Sequence, residues 1–561
     1  MKRVIKRAVS FVLVFMTVFS VFTILPSEVF HTAYVKAAEM FSSETGASTQ
    51  ETYTTDDFTY TLIDEYSKVQ ILSYIGSDTD VVIPDRIDNK KVTSIADSAF
   101  REKSITSVVF GQYVESIGNY AFYGCQSLSK LDFSKSSVKT IGSYAFVMDK
   151  SITTLEFPDS LESIGNYAFS CYRYGTYGSY VVNSLKSVKF GSGLKTIGQY
   201  AFYENQKLET IEFTGNSLTS IENNAFHDCL ALKEVNLTGN NAVIGDYAFY
   251  NNDALQKITL SGVKTIGSYA FGYGDSLKNV SLGEGLVSVK NNAFQNCFNL
   301  ETANFSDSLT TISNYAFDNC RKLTEIDIPS KVETLSGYAF SNCSALKNVS
   351  IGSGCTSISS TAFLNSYAIE KIDVAEDNKN YASVDGALLN KEKTSIVLYP
   401  KNKQGEFVIP DTVTTIADYA FNNAPNLTKV TIGANVKTIG TCAFQNCNSL
   451  ETVIFKDSDT VTKTIGDYAF NNCPTLTTVD FGNAVKSIGS YAFMIDKSLE
   501  NIEFPDSLES IGNYAFSCYR YGTYGSYVAN SLKSVKFGSG LKTIGQYAFY
   551  ENQKLETIEF T

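Results

Sequence analysis

The stretch SIGNYAFYGCQSLSKLDF, residues 116–133, decides the fold because it recurs along the chain with small changes. TISNYAFDNCRKLTEIDI at 311–328 and TLSGYAFSNCSALKNVSI at 334–351 follow the same pattern. Its anchor, Ala-Phe, occurs eighteen times, mostly 22 to 24 residues apart. The phenylalanines of these pairs are Phe100, Phe122, Phe146, Phe169, Phe202, Phe226, Phe249, Phe271, Phe294, Phe317, Phe340, Phe363, Phe421, Phe444, Phe470, Phe493, Phe516 and Phe549. A fixed period of this length predicts an array of stacked repeats.

Each repeat divides into a strand half and a turn half. In LTEIDI, residues 323–328, apolar and polar side chains alternate, which predicts a short β-strand with Ile326 and Ile328 facing inward. The half that begins Ile-Gly-x-Tyr-Ala-Phe predicts a short turn or helical segment on the other side of the core. The sequence therefore predicts a solenoid of about eighteen ~23-residue units, with a parallel β-sheet on its concave face.

One long interruption separates Phe363 from Phe421. Within it, 387–389 and 395–399 are apolar segments on either side of a polar turn, so we predict a β-hairpin insertion. The interruption also contains an acidic cluster of oxygen-bearing side chains, namely Asp373, Glu376, Asp377 and Asn378. Calcium prefers oxygen ligands, but the spacing matches no calcium loop, and a solvated turn is the favoured interpretation.

The N-terminus resembles a secretory signal peptide. A basic start at 1–7 precedes an apolar run at 8–25, and Val35-Lys36-Ala37 offers a cleavage site. An uncleaved membrane anchor is the alternative. We predict a signal peptide at 1–37, a flexible Ser/Thr-rich linker at 38–57 and an N-terminal β cap at 58–94. Repeats follow at 95–363, then the hairpin insertion at 364–415, then repeats at 416–561 without a C-terminal cap.

Composition argues against nucleic acid as a partner. Residues 1–37 contain five basic and one acidic side chains, so the rest of the chain has 41 basic and 57 acidic ones, a net charge near −16. An acidic surface repels phosphate backbones, whose binding requires Lys and Arg. It also disfavours contact with anionic membranes, so we expect a membrane association only through an uncleaved N-terminal segment.

The sequence offers little chemistry for catalysis. It has two histidines, and His31 leaves with the signal peptide, so His227 alone supplies no triad or imidazole-rich metal site. We interpret His227 as an exposed turn residue. No nucleotide-binding or nucleophile motif is present. We predict that the chain is not an enzyme and has no cofactor, catalytic site or metal site.

Seven of the eleven cysteines occupy one position, three residues after the repeat phenylalanine. These residues are Cys125, Cys229, Cys297, Cys320, Cys343, Cys447 and Cys473. Other repeats have Asn205, Gly274 or Ala424 at this position. A position shared by small residues predicts buried free thiols rather than disulfides. A zinc site of stacked thiolates at Cys297, Cys320 and Cys343 is the alternative.

Tyrosine appears in two patterns. In thirteen repeats it stands two residues before the phenylalanine, as at Tyr120 and Tyr315. We interpret this row as edge packing of the solenoid rather than a sugar-binding stripe. Two repeats also carry ten extra residues rich in tyrosine, glycine and arginine, a composition typical of binding loops. The candidate ligand-binding residues of these loops are Tyr172, Arg173, Tyr174, Tyr177, Tyr180, Tyr519, Arg520, Tyr521, Tyr524 and Tyr527. In the alternative, these tyrosines pack back on the solenoid.

Residues 156–214 and 503–561 are identical except that Val182 corresponds to Ala529. A recent internal duplication explains this identity, because the other repeats vary freely at exposed positions. The second copy runs to Thr561. We expect either that the chain is a piece of a longer protein, or that its last repeat frays or pairs with another molecule.

The phrase SIGNYAFxxCxSL, followed by a strand with an apolar end, resembles the BspA-like leucine-rich repeats of treponemal type. The resemblance covers 95–561 and the lead-in VVIPDRIDNKKVTSIADSAF. It implies a leucine-rich repeat solenoid of the kind common on surfaces of host-associated bacteria and in some parasitic protists, exported to the cell surface or the extracellular space. It also implies binding of protein or glycan ligands in adhesion, without fixing the ligand.

We expect the ligand to contact exposed strand positions together with the tyrosine loops. The candidate strand residues are Lys233, Glu234, Asn236, Thr324, Glu325, Asp327, Lys347, Asn348 and Ser350. The alternative function is a passive structural spacer or coat component of a longer surface protein.

Overall fold

The protein is a parallel β-solenoid. The computed structural model describes residues 51–149, 151–171, 184–518 and 531–561. Every regular element in these ranges is a β-strand, and the 43 strands are numbered β1 to β43 along the chain. Each turn of the solenoid has two strand positions and one segment of linked turns. The predicted signal peptide at 1–37 lies outside the described residues.

The N-terminal part starts the solenoid with antiparallel strands. Strand β1 (Thr52–Thr54) pairs antiparallel with β2 (Phe58–Ile63), and β2 pairs antiparallel with β3 (Lys68–Tyr74). The two-residue β5 (Arg86–Ile87) pairs with β6 (Lys90–Ile95). Strand β1 lies within the segment 38–57 that we expected to be a flexible linker. The Tyr53 ring in β1 stacks on that of Tyr60 in β2 at 5.4 Å.

The first strand position, which we call row 1, has short strands that end at the apolar residue before the Gly of the Ile-Gly motif. Each strand pairs in parallel with its counterpart in the next turn, as Ile117 does with Ile141. Besides β6, row 1 contains β8 (Ser116–Ile117), β10 (Thr140–Ile141), β12 (Ser163–Ile164), β14 (Thr196–Ile197), β16 (Leu218–Ile221), β20 (Ser288–Val289), β22 (Thr311–Ile312), β24 (Thr334–Leu335), β26 (Ser357–Ile358), β32 (Thr415–Ile416), β34 (Thr438–Ile439), β36 (Lys463–Ile465), β38 (Val485–Ile488), β40 (Ser510–Ile511) and β42 (Thr543–Ile544).

The second strand position, which we call row 2, contains the strands predicted from the alternating pattern. Its inward and outward side chains alternate, as in Glu325–Ile328, where Ile326 and Ile328 are buried. Row 2 contains β4 (Asp80–Val82), β7 (Ser107–Val109), β9 (Lys130–Asp132), β11 (Thr154–Glu156), β13 (Ser187–Phe190), β15 (Thr210–Phe213), β19 (Asn279–Leu282), β21 (Thr302–Phe305), β23 (Glu325–Ile328), β25 (Asn348–Ile351), β27 (Lys371–Val374), β31 (Gly405–Val408), β33 (Leu427–Ile432), β35 (Thr452–Phe455), β37 (Thr478–Asp480), β39 (Asn501–Glu503), β41 (Ser534–Phe537) and β43 (Thr557–Phe560).

Two long strands connect the rows. β17 (Glu234–Ile244) and β18 (Lys257–Ile266) pair in parallel along both strand positions. They pass the corner between the rows with a register shift, where Gly262 has a φ of +64°. A Cβ at Gly262 would overlap the carbonyl oxygen of Gly239 in the neighbouring turn. Glycine is therefore required here both for the backbone conformation and for the close approach of the two turns.

The Tyr-Ala-Phe half of each repeat forms linked turns, which we call the turn face. The amide of Phe122 donates to the carbonyl of Ala145 in the next turn, and Tyr120 donates to Ser143. Tyr120 also has a φ of +55°, a left-handed conformation that an α-helix does not contain. Because these bonds run between turns rather than along the chain, the expected turns are confirmed. No helical segment occurs in the described ranges.

The core is organised around a ladder of stacked aromatic rings. Tyr74 stacks on Phe100 at 5.3 Å, and the ladder continues to Phe363 with ring-centroid separations of 4.6 to 5.8 Å. This spacing matches that of hydrogen-bonded parallel strands, which are about 4.8 Å apart. Phe317 lies between Phe294 at 4.9 Å and Phe340 at 5.3 Å, and it is fully buried. Each ring therefore completes the core of two neighbouring turns.

The interruption contains the predicted β-hairpin, extended by one strand. β29 (Ala387–Asn390) pairs antiparallel with β30 (Ser395–Leu398), which confirms the hairpin, and β28 (Tyr381–Val384) pairs antiparallel with β29. Leu388 belongs to the hydrophobic core before the interruption, whereas Leu389 belongs to the core after it. Strand β29 therefore separates two cores with its two faces.

The repeat resumes earlier than Phe421, at an aromatic residue that the sequence pattern missed. Tyr399 stacks on Phe421 at 4.6 Å, and its amide donates to the carbonyl of Ala420. The acidic cluster before the hairpin has a structural asparagine at its centre. Asn378 is fully buried, and its Nδ2 donates to the carbonyl oxygens of Gly352 and Cys355, while Asp373 is exposed.

The cysteine position supplies a hydrogen-bond donor to the previous turn. The Cys320 thiol donates to the carbonyl oxygen of Phe294 at 3.4 Å. In two other turns a different residue makes the same bond: Asn205 Nδ2 donates to the carbonyl oxygen of Phe169, and Ser366 Oγ donates to that of Phe340. All eleven cysteines are buried, and the seven at this position form no disulfide within the described ranges, which confirms the prediction of free thiols there. Burial raises the pKa of Cys297 to about 12, so this thiol stays protonated.

A pair of substitutions tests this donor role. We expect Cys320→Ser to change the free energy of unfolding by less than about 1 kcal/mol, because serine already makes the same bond at Ser366. We expect Cys320→Val to cost about 1–3 kcal/mol, because the buried Phe294 carbonyl loses its donor. Urea unfolding of both variants measures the difference. Equal stability of the two variants would contradict the donor role.

Two turns have aspartate at the cysteine position. Asp149 and Asp496 are 6% and 5% exposed. Asp496 Oδ1 accepts from the amide of Cys473 at 2.7 Å, whereas its Oδ2 has no hydrogen-bond partner in the described part of the chain. Burial raises the pKa of both carboxyl groups well above 3.8, the usual value. A protonated carboxyl group can donate a hydrogen bond, as the cysteine, asparagine and serine residues do at this position.

Candidate binding surface

The outward side of row 2 is the polar surface on which the candidate strand residues lie. Lys233, Glu234 and Asn236 are exposed at the start of β17, and Thr324, Glu325 and Asp327 are exposed in and beside β23. Lys347, directly before β25, is exposed, while Asn348 and Ser350 in β25 are half-buried. Strand alternation places these side chains outward because their neighbours fill the core.

Ion pairs between neighbouring turns occupy part of this surface. Lys233 Nζ lies 2.6 Å from Glu209 Oε2, and Lys257 Nζ lies 3.4 Å from Glu234 Oε1. Lys347 Nζ lies 3.6 Å from Glu370 Oε1. Because these side chains remain largely exposed to water and salt, each pair contributes little to stability. The pairs therefore position side chains more than they stabilise the fold, and a ligand can replace them at little cost.

The middle of the surface has different chemistry. Between β19 and β25 the outward positions are mostly amide and hydroxyl groups, and Thr302 Oγ1 donates to Asn279 Oδ1 at 2.8 Å. Glu325 and Asp327 form no ion pair with any residue in the described ranges. This part of row 2 therefore presents hydrogen-bonding groups and carboxylates that a ligand can engage.

The tyrosine loops predicted as binding elements lie outside the described residues. Their candidate residues are Tyr172, Arg173, Tyr174, Tyr177, Tyr180, Tyr519, Arg520, Tyr521, Tyr524 and Tyr527. The residues that precede them, Cys171 and Cys518, are buried at 5% and 4% exposure. Each loop is followed after a few residues by a row 2 strand, β13 or β41.

The tyrosine row packs on the turn face, as predicted from its strict period. Tyr120, Tyr144 and Tyr167 stack with nearly parallel rings at 4.9 and 4.8 Å. Tyr315 and Tyr338 stack at 4.7 Å in the same way. Some rings keep an exposed side, since Tyr315 is 37% exposed. The interpretation as edge packing is therefore confirmed by the ring contacts.

On one section of the turn face, the rings of His227, Tyr250 and Tyr273, which the sequence analysis missed, lie beside Tyr247 and Tyr269 of the tyrosine row. We call His227, Tyr247, Tyr250, Tyr269 and Tyr273 the aromatic patch. The Tyr250 ring lies 4.9 Å from His227, 5.3 Å from Tyr247 and 5.3 Å from Tyr273. His227 is half-buried, with Nδ1 3.1 Å from Asp228 Oδ2, so its interpretation as an exposed turn residue was wrong. Rings from adjacent turns cover it, and the sequence around His227 does not reveal them.

A groove of about 770 Å³ lies at the row 2 end of the later turns, lined by Asp457, Asp480, Phe481, Glu503, Asp506 and Lys536. Its carboxylates already have partners in the chain. Asp457 Oδ1 accepts from the amide of Asn483, and Asp506 Oδ1 accepts from that of Ser539. Glu503 pairs with Lys536. These acidic side chains therefore hold adjacent turns together.

The described residues include no group of three or more His, Cys, Asp or Glu side chains placed to hold a metal ion. They also include no helix of the length and apolar character needed to cross a membrane.

A family model described as "BspA type Leucine rich repeat region (6 copies)" matches residues 93–177, 175–273, 264–383, 397–523 and 522–561. No curated protein matches the chain.

Several solved structures are similar to this chain. A leucine rich cell surface protein of Faecalibacterium prausnitzii A2-165 aligns over 92% of this chain and 96% of its own, with 21% identity and a TM-score of 0.32. The T. pallidum leucine rich repeat protein aligns over 36% of this chain and 91% of its own, with 26% identity and a TM-score of 0.32. The pneumococcal vaccine antigen PcpA aligns over 91% of this chain and 87% of its own, with 17% identity and a TM-score of 0.31.

Proposed function

Because the chain belongs to the family of proteins with BspA-type leucine-rich repeats, we propose that it is a binding protein of the cell surface or the extracellular space. It binds a protein or glycan through the outward side of row 2, together with the tyrosine loops, in adhesion or in contacts with a host or matrix. This role is one of binding rather than catalysis. The signal-peptide pattern at 1–37 supports export.

The observation that carries this proposal is the difference between the inward and outward side chains of row 2. Inward positions are filled by apolar side chains such as Ile326, Ile328 and Val349, whereas outward positions differ from turn to turn. The fold therefore depends on one side of the strands and leaves the other side free for recognition. Surfaces of repeat arrays are commonly used in this way.

The outward side of row 2 between β17 and β27 is smaller than a stable protein–protein interface. Seven strands from β17 to β27, about 4.8 Å apart and about 13 Å long, present about 440 Å². A stable protein–protein interface buries about 800 Å² on each partner. The strand surface of these turns alone therefore supports a weak complex, and a tighter one needs additional contacts such as the loops provide.

Retention of immobilised matrix proteins, mucin and an oligosaccharide panel tests the proposal. We expect the full chain to retain at least one ligand and the variant Asn304→Ala/Glu325→Ala/Asp327→Ala to lose most of that binding. The matched control, Thr311→Ala/Thr334→Ala/Glu333→Ala, changes exposed residues of the same turns at row 1. Equal binding by both variants would contradict a role for row 2. Replacing the loop tyrosines by alanine tests the loops separately.

A passive spacer or coat component is the second candidate function. The uninterrupted stack of rings from Tyr74 to Phe363 favours it, because stacked turns resist bending. If the wild-type chain retains no protein, mucin or glycan, this second candidate replaces the first.

A further inference from the structure

The aromatic patch presents ring surface to solvent on the turn face. Tyr247 and Tyr273 are 36% and 38% exposed, and Tyr250 and Tyr269 are half-buried between them. Tyr247 and Tyr269 stack at 4.9 Å, so the rings form one continuous layer across three turns. Exposed aromatic side chains of this kind provide a large contact area with little loss of conformational entropy on binding.

Carboxylates lie close to this layer, with Asp228 Oδ2 3.1 Å from His227 Nδ1. Burial and the charges of Asp275 and Asp228 raise the pKa of Asp253. Burial also acts to raise the pKa of Asp228, but hydrogen bonds from His227 and Asn251 hold it below its usual value. Glu204, Asp253 and Asp275 form no ion pair with a lysine or arginine of the described ranges. The patch therefore combines ring faces with uncompensated negative charge.

Elsewhere in the chain, arginine side chains lie over aromatic rings. Tyr123 follows the repeat Phe122, as Tyr250 follows Phe249, and the guanidinium of Arg101 lies 5.1 Å from its ring centroid. Arg321 likewise lies 4.7 Å from the ring of Phe298 in the preceding turn. At the aromatic patch, His227 stands where Arg101 would be, and no described lysine or arginine covers the rings.

We propose that the aromatic patch binds an arginine-bearing segment of a partner protein. A guanidinium group lies over the rings of Tyr250 and Tyr273, and its N–H groups point toward Asp253 and Asp275. Arginine fits better than lysine, because its planar group is weakly hydrated and stacks on aromatic faces. The patch lies on the turn face and not on row 2, so this proposal does not depend on the function proposed above.

Backbone-compatible variants make the test specific. Asparagine occupies the position of Tyr273 in later turns, as Asn296 and Asn319, with a φ of about 60° in each. It also occupies the position of Tyr247 as Asn224, with a φ of 59°. Tyr247→Asn/Tyr273→Asn should therefore fold. The control Tyr315→Asn removes an equally exposed tyrosine of the same row, outside the patch.

The probe is a fluorescent tetra-arginine peptide, titrated with the full chain at physiological salt and followed by fluorescence anisotropy. We expect Tyr247→Asn/Tyr273→Asn to weaken binding about tenfold, because the cation–π contact with Tyr273 is lost together with the Tyr247 ring that packs against Tyr250. Tyr315→Asn should bind as the wild type does, and a citrulline peptide of equal length should not bind. Equal weakening by both variants, or binding of the citrulline peptide, would overturn the proposal. So would a neutral chitin oligosaccharide that binds through these tyrosines when the arginine peptide does not.

Discussion

Phe317→Ala is expected to cost about 3–5 kcal/mol in the stability of its own and the adjacent turns. The ring is fully buried, stacks on Phe294 and Phe340, and packs edge-on against Phe305 at 5.4 Å. Removing it leaves a cavity in a core that two neighbouring turns share. Because each turn contacts only its neighbours, the loss is local rather than spread along the array.

Hydrogen exchange measures this local loss better than global unfolding, which need not be two-state in a long repeat array. We expect amides of residues 294–340 to exchange about 10² to 10³ times faster in the variant. The control is Phe560→Ala, since Phe560 stacks on Phe537 at 4.9 Å but is 70% exposed. It should cost less than about 1 kcal/mol. Similar losses in both variants would mean that the ladder does not hold the turns together.

The two buried aspartates, Asp149 and Asp496, should make the stability of the protein depend on pH. Asp496→Asn should stabilise the protein at pH 7.5 relative to its effect at pH 4, by about 1.4 kcal/mol for each pH unit between 4 and the folded-state pKa. Asparagine makes the required bond at the equivalent position, where Asn552 Nδ2 donates to the carbonyl of Phe516. Asparagine carries no charge at any pH, whereas burial disfavours the ionised form of Asp496 and raises its pKa.

The direction in which stability changes with pH follows from the direction of the pKa shift of Asp496. Burial raises the folded-state pKa of Asp496 above 3.8, so the folded state binds more protons than the unfolded state at higher pH. The contribution is complete below about pH 4 and is lost as the pH rises toward the folded-state pKa, by about 1.4 kcal/mol per pH unit. Asp149 contributes in the same direction.

Urea unfolding at several pH values between 4 and 8 measures this dependence. The stability difference between Asp496→Asn and the wild type should increase with pH. The control is Asp307→Asn, which changes an exposed carboxylate and should give a constant difference. A constant difference for Asp496→Asn as well would show that this carboxyl group is ionised in the folded protein.

Much of the fold could be predicted because the apolar and polar positions within each repeat indicate which side chains are buried. The alternation in 323–328 indicated which side chains of β23 point inward, and the period placed Phe317 in a ladder. Row 1 was not predicted as strand because its segments, such as Thr311–Ile312, are two residues long. They are strands only through hydrogen bonds to adjacent turns, and a pattern within one turn does not show such bonds.

Tyr399 and His227 were misjudged from the sequence because their surroundings come from adjacent turns. Tyr399 lies in the sequence Leu-Tyr-Pro, without the Ala-Phe anchor, yet it takes the place of a ladder phenylalanine. His227 is half-buried because Tyr203 and Tyr250 belong to the turns before and after it. The exposure of the candidate residues in β17 and β23 was predictable, since strand alternation alone fixes it.

The central claim is that the outward side of row 2 is the ligand-binding surface. Carbodiimide labelling of carboxyl groups, read by mass spectrometry with and without the retained ligand, tests it most directly. Glu325 and Asp327 lie on row 2. The exposed Glu333 lies eight residues after Glu325, beside row 1 strand β24. Reduced labelling of Glu325 and Asp327 with unchanged labelling of Glu333 is the expected result. Protection of Glu333 alone, or of none of the three, would contradict the claim.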